Sequence, residues 1–241
     1  MPGRHSDAAP RWPRGLLVGM AAAIKLVPGI FIPYFWVTGR RREAITATAT
    51  ATFLLCTSLA TVSDFRDSRR YWTRLVFDTE RIGHTAGYKN QSLRGVLLQL
   101  PPGPGRSYVL AVAALIVVIV GLARARTATL RGQPAAGAAI CGLTGVLASP
   151  VSWIHTAVWL VPAIGCRAGA LDKPVRTWIA AMFVLALISG LPYIPNTCPG
   201  LPYPGVLLLQ RSFALMGLGL LLLLPISGGS RRRRVIQGLF S

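Results

Sequence analysis

The sequence predicts an all-α membrane protein, a polytopic helical bundle of about seven spans. Three observations lead there. The 241 residues are 52% hydrophobic, with a mean hydropathy of +0.51. Only 14% are charged, where a soluble domain carries about a quarter. The apolar residues also fall in blocks, several approaching the roughly 20 residues that a bilayer-crossing helix needs.

Taken in order, residues 1–14 form a polar, Pro-rich tail that is not expected to act as a signal peptide. Residues 15–229 form the transmembrane domain. Its blocks are Gly15 to Thr38, Ala44 to Val62, Ser107 to Leu122, Ala135 to Ala148, Thr156 to Gly165, Trp178 to Leu191 and Val206 to Ile226. A long polar loop, 63–106, separates the second from the third, and residues 230–241 form a basic tail. The first block has two readings. It contains Lys25, Pro28 and Pro33, and arginines flank both ends. It either crosses once or turns back as a re-entrant hairpin broken near Lys25-Leu26-Val27-Pro28. A lysine and a proline at mid-block need a lining of protein or water.

The formal charge is +19, from 26 Lys+Arg against 7 Asp+Glu. No aromatic-basic module accompanies it, so nucleic acid is not expected as a partner. The arginines cluster at the ends of apolar blocks: Arg40 to Arg42, Arg124 to Arg131, Arg167 to Arg176 and Arg231 to Arg234. Basic loops stay at the anionic cytoplasmic leaflet. That orientation gathers loop 63–106, Ser149 to His155 and the Lys/Arg-free stretch Pro192 to Pro204 on the outer face of the membrane. The four cysteines, Cys56, Cys141, Cys166 and Cys198, form no CxxC pair. They read as packed hydrophobes, and no metal site or cofactor is expected.

Chemistry is expected where polar groups interrupt the apolar pattern. The run Ser149-Pro150-Val151-Ser152-Trp153-Ile154-His155 lies between two apolar stretches, and hydrocarbon satisfies neither an imidazole nor a broken backbone. His155 could serve as base, phosphate donor or orienting group, or be structural. The outer loop holds Asp64, Asp67, Asp78 and Glu80 with Arg66, Arg69, Arg70, Arg74 and the pair Tyr71-Trp72. It reads as an interfacial amphipathic helix, or as a site where basic groups hold a phosphate and aromatics stack on a sugar. Asn90-Gln91-Ser92-Leu93-Arg94-Gly95 closes that loop. Its amides suit sugar hydroxyls or a pyrophosphate; alternatively, Asn90 caps a helix. Arg211, inside the seventh block, either snorkels outward or faces the bundle to meet an anionic headgroup. A transporter would show internal symmetry and paired intramembrane charges; no repeat aligns and Lys25 has no evident acidic partner in sequence.

These pieces together resemble glycosyltransferase family 87, the actinobacterial polyprenol-phosphate-mannose-dependent mannosyltransferases. The matching segments are Gly19 with Ala23-Ile24-Lys25-Leu26-Val27-Pro28, Arg40-Arg41-Arg42, Tyr71-Trp72, Asn90 to Gly95 and Ser149 to His155. The resemblance implies a GT-C-like fold in the bacterial cytoplasmic membrane, with its active face outward. It implies a polyprenyl-phosphate sugar donor, a glycolipid or lipoglycan acceptor, and inversion at the transferred carbon. On that reading His155, Asp64 and Asp67 are the catalytic candidates, and Asn90, Gln91, Arg94, Trp153, Tyr71, Trp72, Lys25 and Arg211 the substrate-binding ones. Two departures stand out. The family's Asp-His-His-like run reads Ile154-His155-Thr156 here. The catalytic Asp of the first outer loop is expected several spans ahead of Lys25, so the chain resembles the C-terminal part of the enzyme. A truncated gene, a late start or an N-terminal half on a separate chain would each produce this; the alternative to an active enzyme is a non-catalytic fragment that pairs with another chain or is a gene remnant.

Overall fold

A computed structural model describes residues 13–61, 65–75, 85–99, 103–168, 190–196 and 200–226, with isolated positions 78, 81, 175 and 182. The described residues are helical, the short α4 (Phe65–Arg70) among them, and are joined by turns and a single isolated β-bridge. They divide into two compact units, 1–68 and 69–241.

In the first unit, α1 (Leu16–Ile24) and α2 (Phe31–Val37) pack along α3 (Arg41–Thr61), and a 3₁₀ turn (Val27–Ile30) joins α1 to α2. The register shows how. A Cβ placed on Gly15 would meet the Glu43 backbone, and one on Gly19 would meet Ala47 and Thr50, so α1 runs parallel to α3. Gly39, at φ 79°, then turns α2 directly into α3, with the Arg40 N–H donating to Phe35 O at 2.8 Å. Both ends of the first block therefore lie beside the start of α3, and the block doubles back. At about 1.5 Å per residue, neither α1 with nine residues nor α2 with seven reaches across a hydrocarbon core. The break falls at Lys25-Leu26, where Pro28 cannot donate to a continuing ladder. Lys25 is accordingly exposed at the tip of the hairpin instead of sitting at the middle of a span. At its base, Arg40 pairs with Glu43 at 3.3 Å and lies 4.8 Å from the Phe35 ring, while Arg41 lies over Trp36.

The second unit is built around α7 (Pro134–Ala148), which is buried along almost its whole length. It packs antiparallel on α6 (Arg106–Leu130), and against α8 (Leu160–Ala168) and α10 (Ser212–Leu223). Small residues let these axes approach. A Cβ on Gly121 would fall on the Thr144 side chain, and one on Gly142 would fall 2.1 Å from the Trp159 ring. Close packing of small residues is how helices gain contact where lipid offers no hydrophobic drive. Gly142→Ala is expected to lower stability by about 1–3 kcal/mol, read as a lower thermal midpoint in detergent.

Three expectations change on this frame. The third block does not stop at Leu122: α6 runs on through Arg124 and Arg126 to Leu130, so the basic stretch is helical and not a loop. The fifth block begins as a 3₁₀ turn (Ile154–Trp159) before α8. The seventh is two helices, α9 (Tyr203–Gln210) and α10, bent by 64° at Arg211. Among the described residues two helices, α3 and α6, are long and apolar enough to cross a bilayer, or three if α9 and α10 count as one span. A seven-span bundle goes further than this, and the sixth block lies almost wholly outside the described residues.

Candidate functional site

One end of the second unit holds a polar clasp. It is built by the residues that follow α7, the segment 85–92 and the break between α9 and α10. After α7, Pro150 removes a backbone donor and the chain becomes extended. It then pairs with the segment that leads into α5 (Leu93–Leu97), through an antiparallel bridge between Asn90 and Trp153. The Gln91 N–H donates to Ser152 O at 2.6 Å.

Asn90 is fully buried and its side chain makes four bonds. Its Nδ2 donates to Thr85 O at 2.9 Å and Pro150 O at 3.3 Å. Its Oδ1 accepts from the Ser152 N–H at 2.9 Å and the Ser92 N–H at 3.2 Å. Asn90 does not cap α5. Ser92 does, with its Oγ accepting from the Gly95 N–H at 3.1 Å. Gly95 is required here because a Cβ would meet Asn90 O at 2.3 Å.

Gln91 spans the helix break. Its Nε2 donates to Gln210 O at 2.6 Å at the end of α9, and to Tyr88 O at 2.6 Å. Its Oε1 accepts from the Ala214 N–H at 3.1 Å in the first turn of α10. A single amide thus serves a helix C-terminus and a helix N-terminus that would otherwise leave orphan groups. An inserted side chain of this kind accounts for the bend.

Arg211 sits at the break with 1% of its surface exposed. Its Nη1 donates to Asn90 O at 2.8 Å and Gly87 O at 3.1 Å, and its Nη2 to Ala86 O at 2.7 Å. The guanidinium faces the bundle and gathers three carbonyls of one loop; it does not snorkel outward. Tyr88 packs edge-on to Tyr193 at 5.3 Å, which brings the Leu191–Asn196 turn to the same end.

The clasp brings together Asn90, Gln91, Arg211 and the backbone of Trp153. Around it, His155 is exposed on the 3₁₀ turn and Trp153 is half-buried. Arg94, half-buried on α5, borders a cavity of about 200 Å³ with Leu93, Leu110, Ala111, Ala148 and Pro150. Tyr71 is exposed, with Arg81 over its ring at 5.2 Å. Lys25 belongs to the first unit. Asp64 and the side chains of Asp67 and Trp72 lie outside the described residues. No carboxylate takes part in the clasp, and no His/Cys/Asp/Glu cluster could hold a metal, among the described residues. Ser92, Gly95 and Ser152 were not singled out by the sequence, although the Ser-x-x-Gly spacing of the cap was readable in it.

A buried polar clasp closes one end of an apolar helical unit, the arrangement of a membrane protein whose polar groups gather at a bundle end. Residues 5–150 match glycosyltransferase family 87, and the chain belongs to that family. It is 38% identical over 184 residues to the polyprenol-phosphate-mannose-dependent alpha-(1-2)-phosphatidylinositol mannoside mannosyltransferase of Mycobacterium tuberculosis, covering 75% of this chain and 42% of that protein. It is 35% identical to the protein of the same description from Mycolicibacterium smegmatis, covering 76% and 43%. A pentamannoside mannosyltransferase of M. smegmatis is 34% identical, covering 63% and 37%. The chain therefore spans less than half the length of the curated relatives it matches. No solved structure matches it significantly.

Proposed function

We propose that the chain is part of a membrane mannosyltransferase that moves mannose from a polyprenyl phosphate to a phosphatidylinositol-mannoside-type glycolipid. The carrying observation is that the two motifs of the family resemblance, Asn90 to Gly95 and Ser149 to His155, are bonded to each other at one bundle end. The relatives' printed descriptions supply the donor and acceptor. On this reading the protein is multi-pass, its helices complete a bundle of about seven spans, and the clasp faces outward.

In the reaction an acceptor hydroxyl oxygen bonds to the anomeric carbon of mannose. The bond from that carbon to the phosphate oxygen breaks, and the hydroxyl proton passes to a base. His155, exposed next to the clasp, is suited to donate to the departing phosphate. Asp64 and Asp67 are the acids assigned as base. Arg94, beside its apolar cavity, suits a phosphate whose prenyl chain lies against Leu93, Leu110 and Ala111. Trp153, Tyr71 and Trp72 offer surfaces for sugar, and Lys25 an ammonium for a phosphate. Asn90, Gln91 and Arg211 act as positioning residues, since their amides and guanidinium hold backbone.

A second reading has an observation of its own. Because the clasp contains no carboxylate among the described residues, the chain binds donor while another chain supplies the base. One assay separates the two. Membranes carrying the chain are incubated with radiolabelled polyprenyl-phosphate mannose and phosphatidylinositol mannoside. Label is expected on the acceptor, and His155→Ala is expected to lower its rate by about 100-fold. Label that stays on the donor overturns transfer by this chain alone.

A further inference from the structure

At the end of the second unit opposite the clasp, α6 and α10 finish side by side. Arg124 lies in the last turns of α6, and Arg131, seven residues on, is the residue that caps that helix. Arg124 donates from Nε to Leu221 O at 2.8 Å and from Nη2 to Leu224 O at 2.7 Å. Arg131 donates from Nη1 to Ile226 O at 2.8 Å. These bonds serve carbonyls at the end of α10. Each guanidinium has five N–H groups, so both have donors beyond those bonds.

A crevice of about 510 Å³ opens between the two arginines. Thr127 lies on its α6 side, and Leu224, Pro225 and Ile226 form an apolar wall. No acid lines it. Capping explains why one arginine meets a helix C-terminus. It does not explain two like charges on one crevice with no carboxylate between them among the described residues, an arrangement that an anion would relieve. The sequence adds four more arginines, Arg231 to Arg234, starting five residues after Ile226. The basic clusters assign this end to the cytoplasmic leaflet, where anionic lipid is concentrated.

We propose that this crevice binds the phosphodiester headgroup of an anionic phospholipid. The phosphate oxygens bond to the N–H groups of Arg124 and Arg131. The glycerol and first methylenes lie on Leu224, Pro225 and Ile226. The site is separate from the sugar-transfer end and does not depend on the reaction proposed for it.

The test is native mass spectrometry of the full chain in neutral detergent, offered dioleoylphosphatidylglycerol or dioleoylphosphatidylcholine. Preferential retention of phosphatidylglycerol is expected. Arg131→Gln, at an exposed position, is expected to weaken it about fivefold, and Arg124→Gln with Arg131→Gln about 25-fold. Arg41→Gln with Arg42→Gln, the same charge removed from the first unit, is expected to leave retention unchanged. If the double crevice variant does not fold, Arg131→Gln alone decides. Equal retention of the two lipids, no loss in Arg131→Gln, or an equal loss in the Arg41/Arg42 variant overturns the proposal. Displacement of the lipid by inorganic phosphate overturns it in favour of a free-phosphate site.

Discussion

Arg211→Met is expected to lower stability by about 3–5 kcal/mol, the cost of breaking a buried, bonded charge network. The methionine fills much of the volume but leaves the carbonyls of Ala86, Gly87 and Asn90 without their donor. Each buried acceptor left unmade costs about 1–3 kcal/mol, partly relieved by relaxation or water. Arg211→Lys is expected to recover only part of the loss. An ammonium keeps the charge but lacks the planar fork that reaches three carbonyls from two nitrogens. Thermal unfolding in detergent measures the first effect. Limited proteolysis within 85–92 reads the second, because the loop loses its tie to the helix break.

Asn90→Asp is expected to have the next largest effect, although it changes the side chain hardly at all in shape. The carboxylate keeps the acceptor that serves the Ser152 and Ser92 N–H groups. It replaces the amide donor facing Thr85 O and Pro150 O with a second oxygen. Two lost bonds and a buried charge against carbonyl dipoles cost about 3–5 kcal/mol. The loss should shrink as the pH falls, because a protonated carboxyl donates one of the missing bonds. A thermal midpoint that rises on acidification in the variant, relative to wild type, checks this sign. Asn90→Ala should show no such pH dependence.

Much of the fold was legible because hydropathy reports burial. The block Ala135 to Ala148 is α7 within one residue, and its small apolar composition marks the most enclosed helix of the second unit. The interruption at Ser149 to His155 was legible for the complementary reason: prolyl and polar groups need partners that lipid does not offer. Apolarity did not reveal direction. Gly15 to Thr38 has the composition of a crossing, yet Lys25 and Pro28 break it and glycine-mediated packing on α3 turns it back. Nor did charge reveal secondary structure, since Arg124 and Arg126 continue α6 while Arg124 binds the end of α10.

The candidate site was legible as a set of residues and not as a set of roles. Asn90, Gln91 and Arg211 were identified as polar groups near the outer end, suited to sugar or phosphate. Their hydrogen-bonding capacity is turned inward to backbone 60 to 125 residues away in sequence, as well as nearby. Non-local partners of this kind leave no periodic signal. What remains turned outward near them is His155 and the cavity beside Arg94, which narrows the residues available for chemistry.

Hydrogen–deuterium exchange, comparing the wild type with Arg211→Met, tests the clasp most directly. The Arg211 side chain bonds only to the 86–90 loop among the described residues. That loop in turn holds the 150–152 segment through Asn90 and Gln91. The account predicts that peptides covering 85–92 and 149–156 lose protection together, while α7 keeps its protection. Loss confined to 85–92, with 149–156 unchanged, would contradict the claim that the two motifs are held as one unit.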